Sequence, residues 1–119
     1  MAIHNDLGKL GEQHAVNYLK EKGYTILETN WFFRKAEVDI IALSNKHLIV
    51  AEVKTRSSSV FGLPQEFVSS KKIRLLVGAI NEYVIQKDLD VEVRFDIISV
   101  LKSNEKIHIE HLKNAFAYF

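Results

Sequence analysis

Apolar and small residues recur at Leu7, Leu10, Gly11, His14, Ala15, Tyr18 and Leu19, the spacing of one helical face. Asn5 or Asp6 stands in front as an N-cap and Gly23 behind as a stop, which predicts a helix ending near Lys22. Tyr24–Phe33 is rich in aromatic and β-branched residues and reads as a strand. Arg34-Lys35 turns the chain into a second strand, Glu37–Leu43, and Ser44-Asn45-Lys46 turns it into a third, His47–Thr55. The last two are apolar on both faces, so the meander is expected to be antiparallel with these strands central. Ser57–Gln65, SSSVFGLPQ, has the composition of a loop. A long helix is predicted from Pro64 or Phe67 to Gln86, with Val68, Leu75, Leu76, Ala79, Ile80, Tyr83 and Val84 inward. Val91–Leu101 and Lys106–His111 alternate as a fourth and a fifth strand, and Phe116 is expected to pack the tail. Helix, three strands, helix and two strands make an α/β fold with a central mixed sheet flanked by helices, the fourth strand running parallel to the third.

Two of these strands carry acids where a core strand should carry none. Asp39 precedes Ile40 and Ile41, and Glu52 and Lys54 flank Val53 at the end of an apolar run. Burying a carboxylate without a partner costs roughly several kcal/mol. Glu37, Asp39 and Ile41 share one strand face by alternation, and so do Leu48, Val50, Glu52 and Lys54. A hairpin turning at Ser44–Lys46 brings Asp39 and Glu52 to the same end of neighbouring strands. Two converging carboxylates need a counter-charge, either Lys54 or a divalent cation. The donors on offer, two carboxylates and the carbonyl of Val53, suit magnesium or manganese, whereas zinc prefers His and Cys. Such a site fits phosphodiester hydrolysis, with Lys54 orienting the attacking water or meeting negative charge as it develops. The surface alternative, with both acids in exposed ion pairs, requires Asp39 and Glu52 to point apart.

Composition narrows the setting. A chain of 119 residues, 47% hydrophobic and 26% charged, suits one domain with a real core, spanning residues 1–119. It has no cysteine, which rules out a thiolate metal site or a disulfide framework. No apolar run approaches the roughly 18 residues of a membrane span, and the N-terminus lacks a signal-peptide core. A soluble cytoplasmic protein is expected. The net charge of +1 is not that of a strongly basic nucleic-acid binder. Between Lys54 and Arg74, however, Lys54, Arg56, Lys71, Lys72 and Arg74 face one acid, Glu66, a net +4. That segment either opens a solvated helix or, with Phe61 in the preceding loop, holds a nucleic-acid backbone. Basic residues in a helix's first turns oppose its dipole, and an anionic partner gives them a purpose.

Asp39 with Glu52-Val53-Lys54 resembles the PD-(D/E)xK signature of the restriction-endonuclease-like superfamily. The whole chain is similar to the YraN family of small predicted endonucleases, relatives of the archaeal Holliday-junction resolvases. The resemblance runs through Gly8, Gly11-Glu12, Ala15, Tyr18-Leu19 and Gly23-Tyr24, then Glu37-Val38-Asp39-Ile40-Ile41-Ala42 and Glu52-Val53-Lys54-Thr55-Arg56. It continues at Phe61-Gly62, Pro64, Lys72, Arg74, Arg94-Phe95-Asp96 and Ala115-Phe116. It implies a restriction-endonuclease-like core and a metal held by Asp39 and Glu52 with Lys54 beside it. Glu12 is implied as an additional acid from the first helix, and a homodimer because a junction needs two cuts. Bottom-up, Glu12 borders the inward stripe, and Gly8 and Gly11 each cost about 1 kcal/mol in a helix unless close approach to the sheet requires them. Two positions depart from the pattern: Ala36 stands where the family has glycine, and Val38 precedes Asp39 in place of the signature proline.

Other constellations weigh less. His108-Ile109-Glu110-His111 alternates His108 and Glu110 to one face and His111 to the other, which argues against one metal. Trp31-Phe32-Phe33 either stacks bases or joins the core, and Asp96 either supports the site or pairs with Arg94. The expectation is therefore a magnesium- or manganese-dependent endonuclease acting on DNA, including branched intermediates. The alternative is a non-catalytic nucleic-acid-binding or adaptor module on the same fold.

Overall fold

The computed structural model describes residues 2–57 and 68–116, with side chains from Leu7 onward. Phe61 and most of the expected loop lie outside these residues. Helix α1 spans Ala2–Glu21. Gly23, at φ +93°, ends it, with the Tyr24 N–H returning to the Leu19 carbonyl at 2.9 Å. Strands β1 (Thr25–Phe33), β2 (Ala36–Ser44) and β3 (His47–Ser57) form the antiparallel meander. Helix α2 (Ser70–Lys87) begins at Ser69, whose hydroxyl accepts the Lys72 N–H, and closes on Asp88 in the left-handed conformation. Strands β4 (Glu92–Ser103) and β5 (Lys106–Leu112) complete a five-stranded sheet in the order β1-β2-β3-β4-β5, with β4 parallel to β3. Neither helix is long and apolar enough to cross a membrane.

The two helices cover opposite faces of this mixed sheet, and alternation along the central strands fills both layers. Leu48 and Val50 pack with Leu76, Ala79, Ile80 and Tyr83 of α2, while Ile49 and Ala51 pack with Ala15 and Leu19 of α1. Trp31 and Phe33 join the α2 layer, Trp31 edge-on to Tyr83, whereas Phe32 between them is 65% exposed. Phe116 stacks on Phe95 as expected of the tail. The α2 stripe is offset from the expected one: Val77 is buried, and Leu75 lies at the surface.

The expected close approach of α1 holds at one glycine and fails at the other. A Cβ on Gly11 would collide with the side chain of Thr55 on β3, while one on Gly8 would meet nothing. Gly8→Ala should therefore stabilise the protein by about 1 kcal/mol through helix propensity. Gly11→Ala should destabilise it by about 1–3 kcal/mol through overpacking. Urea denaturation of both variants checks the pair, and equal midpoints would refute it.

On the α1 face, Asp96 is fully buried and densely bonded. Its carboxylate accepts from Arg94 Nε at 2.9 Å, Arg94 Nη2 at 2.8 Å and the Asn114 N–H at 2.9 Å, and lies 2.7 Å from His111 Nε2. His111 Nδ1 lies 3.0 Å from the Tyr18 hydroxyl, and Arg94 also donates to Tyr24. Of the two roles left open for Asp96, the pairing with Arg94 is the one observed. His108 and Glu110 are exposed on the other face, so these two do not converge with His111.

Candidate functional site

The sheet forks where the acids sit. The β2–β3 ladder runs from Ser44↔His47 to Ile40↔Ala51 and stops. Beyond it, β2 stays paired with β1 as far as Ala36, and β3 stays paired with β4 as far as Ser57. At the first step of the fork, carboxylates replace the missing ladder bonds. The Val53 N–H donates to Asp39 Oδ2 at 2.8 Å, and the Asp39 N–H lies 3.4 Å from Glu52 Oε2. Each acid thus meets a backbone N–H of the opposite prong, which otherwise would be left unpaired at a partly buried position.

The break also shifts the alternation of β2. Ala36, Val38 and then Ile41 pack on the α2 side, while Ile40 and Ala42 pack on the α1 side. Two residues, Asp39 and Ile40, lie between the inward positions Val38 and Ile41, so the expected common face of Glu37, Asp39 and Ile41 is not kept. Strict period-2 alternation assumes a continuous ladder, and here the ladder ends.

Both carboxylates are pushed up from their ordinary values. Asp39 is raised to about 7, first by burial and then by the Glu52 charge, with the Val53 N–H and Lys72 opposing and Glu12 adding to the rise. Burial likewise raises Glu52, against the contact with Lys72. Lys72 Nζ lies 2.6 Å from Glu52 Oε1. Burial alone would lower the Lys72 ammonium, but the Glu52 contact outweighs it and raises it. The two acids converge, as the exposed ion-pair reading would not allow.

Glu12 reaches the same region from α1. It lines a cavity of about 290 Å³ together with Lys9, Gln13, Thr29, Asn30 and Asp39. Its Oε1 accepts from Asn30 Nδ2 at 3.0 Å, and the same amide reaches Glu37 Oε2 at 3.2 Å. Asn30 holds this position with a left-handed backbone, φ 48°, which asparagine tolerates better than most residues. On the other side, Lys35, Glu37, Ser69, Lys71 and Lys72 line a cavity of about 250 Å³ between the β1–β2 turn and the start of α2.

Asp39, Glu52 and Val53 are therefore brought together, and Glu12 shares a cavity with Asp39. Lys54 is exposed, two residues past Glu52, and Arg56 is half-buried further along β3. Lys71, Lys72 and Arg74 are exposed on the first turns of α2, and only the first two line the cavity. Lys72, expected on a nucleic-acid backbone, is paired with Glu52 in this structure. Its one visible signal was a basic residue set against the helix dipole. Asn30 and its tie to Glu12 were not anticipated; an asparagine inside an aromatic strand was the available hint.

A family model described as the uncharacterised protein family UPF0102 matches residues 11–100, a segment that holds Glu12, Asp39, Glu52, Lys54 and Lys72. The chain belongs to the UPF0102 family. It is 60% identical over 119 residues to a UPF0102 protein of Flavobacterium psychrophilum, covering the whole of both chains. To a UPF0102 protein of Bacteroides thetaiotaomicron it is 47% identical over 116 residues, 98% of this chain and 96% of that one. This is the YraN-like group that the sequence resembles.

The donors of this UPF0102 site can be weighed against a divalent ion. Among the described residues, no group of three or more His, Cys, Asp or Glu side chains is gathered as a metal set. Two carboxylates converge and the third, Glu12, is turned to Asn30. Magnesium commonly takes one or two carboxylates and fills its remaining positions with water and phosphate oxygens. By donor chemistry the pair fits such an ion, and a cation between them would offset the burial that raises both acids and the Glu52 charge that further raises Asp39.

Proposed function

We propose that this UPF0102 protein is a magnesium- or manganese-dependent endonuclease that hydrolyses phosphodiester bonds in DNA on a restriction-endonuclease-like core. The observation that carries this reading is the fork: at a break in the sheet Asp39, partly buried, is raised by burial and by the charge of Glu52, itself buried and raised. The ionised form of Asp39 costs the fold stability at neutral pH despite its bond from the Val53 N–H, and acids perturbed in this way cluster where chemistry is done. Asp39 and Glu52 would hold the ion, with the Val53 carbonyl and Glu12 as further donors. When bound, a divalent ion polarises the phosphate and lowers the pKa of a coordinated water.

The protein's own groups supply the rest. Lys54, exposed beside Glu52, would orient the attacking water or meet the charge developing on phosphate oxygens. Arg56, Lys71, Lys72 and Arg74, with Phe61 in the intervening segment, would hold the backbone of the nucleic acid. A branched substrate needs two cuts, for which a second copy of the chain would supply the second site.

A panel of labelled single-stranded, duplex, flap and four-way DNAs, incubated with magnesium or manganese beside Glu52→Gln, tests the proposal. Cleavage by the wild-type protein and its loss in the variant are expected. If no DNA is cut with either metal, while DNA binding is unchanged by losing Asp39 or Glu52, the protein is a binding or adaptor module instead.

A further inference from the structure

Given the metal reading of the fork, we propose that Lys72 is shared between two partners. It occupies the cation position at Glu52 while the site is empty and moves to a backbone phosphate seated in the adjoining cavity when the site is loaded. Three observations lead there. The Lys72 ammonium sits on Glu52 Oε1, while Oε2 faces the Asp39 N–H at 3.4 Å, so a cation reaching Glu52 meets Lys72 first. The pair is lopsided: the Glu52 side chain is 6% exposed and that of Lys72 is 45% exposed, so the lysine is the partner free to leave. The cavity of about 250 Å³ beside it is walled by Lys35, Lys71 and Lys72.

Lysine is a point charge on a flexible stem and can swing that far without moving the helix. Yet three ammonium groups facing one cavity repel one another, with Glu37 as the one acid on its wall among the described residues. An anion in the cavity removes that repulsion and draws Lys72 off Glu52. The anion is a phosphodiester phosphate, because the site beside it is the one proposed to act on that group. Freeing Oε1 then favours the divalent ion, and by linkage the ion favours the phosphate. Lys72 would thereby make metal and nucleic acid bind cooperatively.

Two titrations test this, with circular dichroism confirming that each variant is folded. In the first, Mn²⁺ binding is measured by the electron paramagnetic resonance of the free ion. Lys72→Met and Lys72→Gln should each tighten Mn²⁺ by about tenfold, the scale of coupling between groups in contact. Lys71→Met removes the same charge one residue away and should change it by less than about twofold. In the second, a fluorescein-labelled DNA duplex is titrated in EDTA. Glu52→Gln should tighten DNA binding because it releases Lys72, and the gain should vanish in Glu52→Gln/Lys72→Met. If Lys72→Met weakens Mn²⁺ binding or matches Lys71→Met, or if the Glu52→Gln gain survives in the double variant, the inference is overturned. Should the wild-type protein bind Mn²⁺ through Asp39 in that case, the nuclease reading stands and only the role of Lys72 falls. If neither the wild type nor Lys72→Met binds Mn²⁺, both fail.

Discussion

Asp39→Asn is expected to abolish the proposed metal-dependent DNA cleavage and, at the same time, to make the protein more stable above neutral pH. Loss of activity by at least about a hundredfold is expected for a carboxylate proposed to hold the ion that polarises the phosphate. The gain in stability follows from the raised acid. Asp39 titrates near 7 in the fold against an ordinary 3.8, because burial and the Glu52 charge both penalise its ionised form. Between those values the native state holds a proton that the unfolded chain has released, so stability falls as pH rises and the full penalty is present above about 7. Each pKa unit corresponds to about 1.4 kcal/mol, which puts the penalty on the order of a few kcal/mol. An asparagine oxygen can still accept the Val53 N–H without carrying the charge. Calorimetry from pH 4 to 8 should show the variant melting several degrees higher at pH 8, with the gap closing towards pH 4. A variant that melts lower at pH 8, or still cuts, would show that Asp39 is a structural acid.

The opposite sign is expected at Asp96. Burial alone would raise this acid, but the bonds from His111, Arg94 and the Asn114 N–H hold it below its ordinary value. Asp96→Ala would leave the Arg94 guanidinium, half-buried, and the His111 ring without their acceptor, and removing one partner of a buried ionic network costs about 3–5 kcal/mol. The melting temperature should fall by roughly ten degrees or more, with Asp96→Asn less affected because one acceptor remains. A depressed acid stabilises the fold above its unfolded pKa, and that contribution is lost as pH falls below about 4. The Asp96 variants should therefore be less sensitive to acid than the wild-type protein. Denaturation at pH 7 and pH 3 measures both effects, and a loss under about 1 kcal/mol at pH 7 would remove Asp96 from the groups that hold β4 and β5 to α1.

Much of this molecule is legible from residue order because its signals are local. The helical stripe and Gly23 mark α1, Asn45-Lys46 turns β2 into β3, and double-sided apolar runs put β2 and β3 at the centre. Asp39, Glu52 and Lys54 stand out for the same reason, as charges that interrupt apolar runs. The two extra residues at the C-terminal ends of β3 and β4 and the exposure of Leu75 are small departures set by ladder pairing and by the angle at which α2 meets the sheet.

Residue order was enough for the elements, the central strands and the two acids that need explaining, since periodicity and apolar context depend on near neighbours. Which groups answer those acids emerges only in the folded chain. Lys72 reaches Glu52 from a helix twenty positions on, although Lys54 lay two residues away and was the natural candidate. Asn30 joins Glu12 to Glu37 across two elements, and His111 meets Asp96 across β4 and β5. The ending of the β2–β3 ladder at Ile40 and Ala51 belongs to the same class, because a strand pattern says which residues alternate and not where two strands part. Pairings of this kind depend on packing distances between elements, and the sequence expresses those only after the chain has folded.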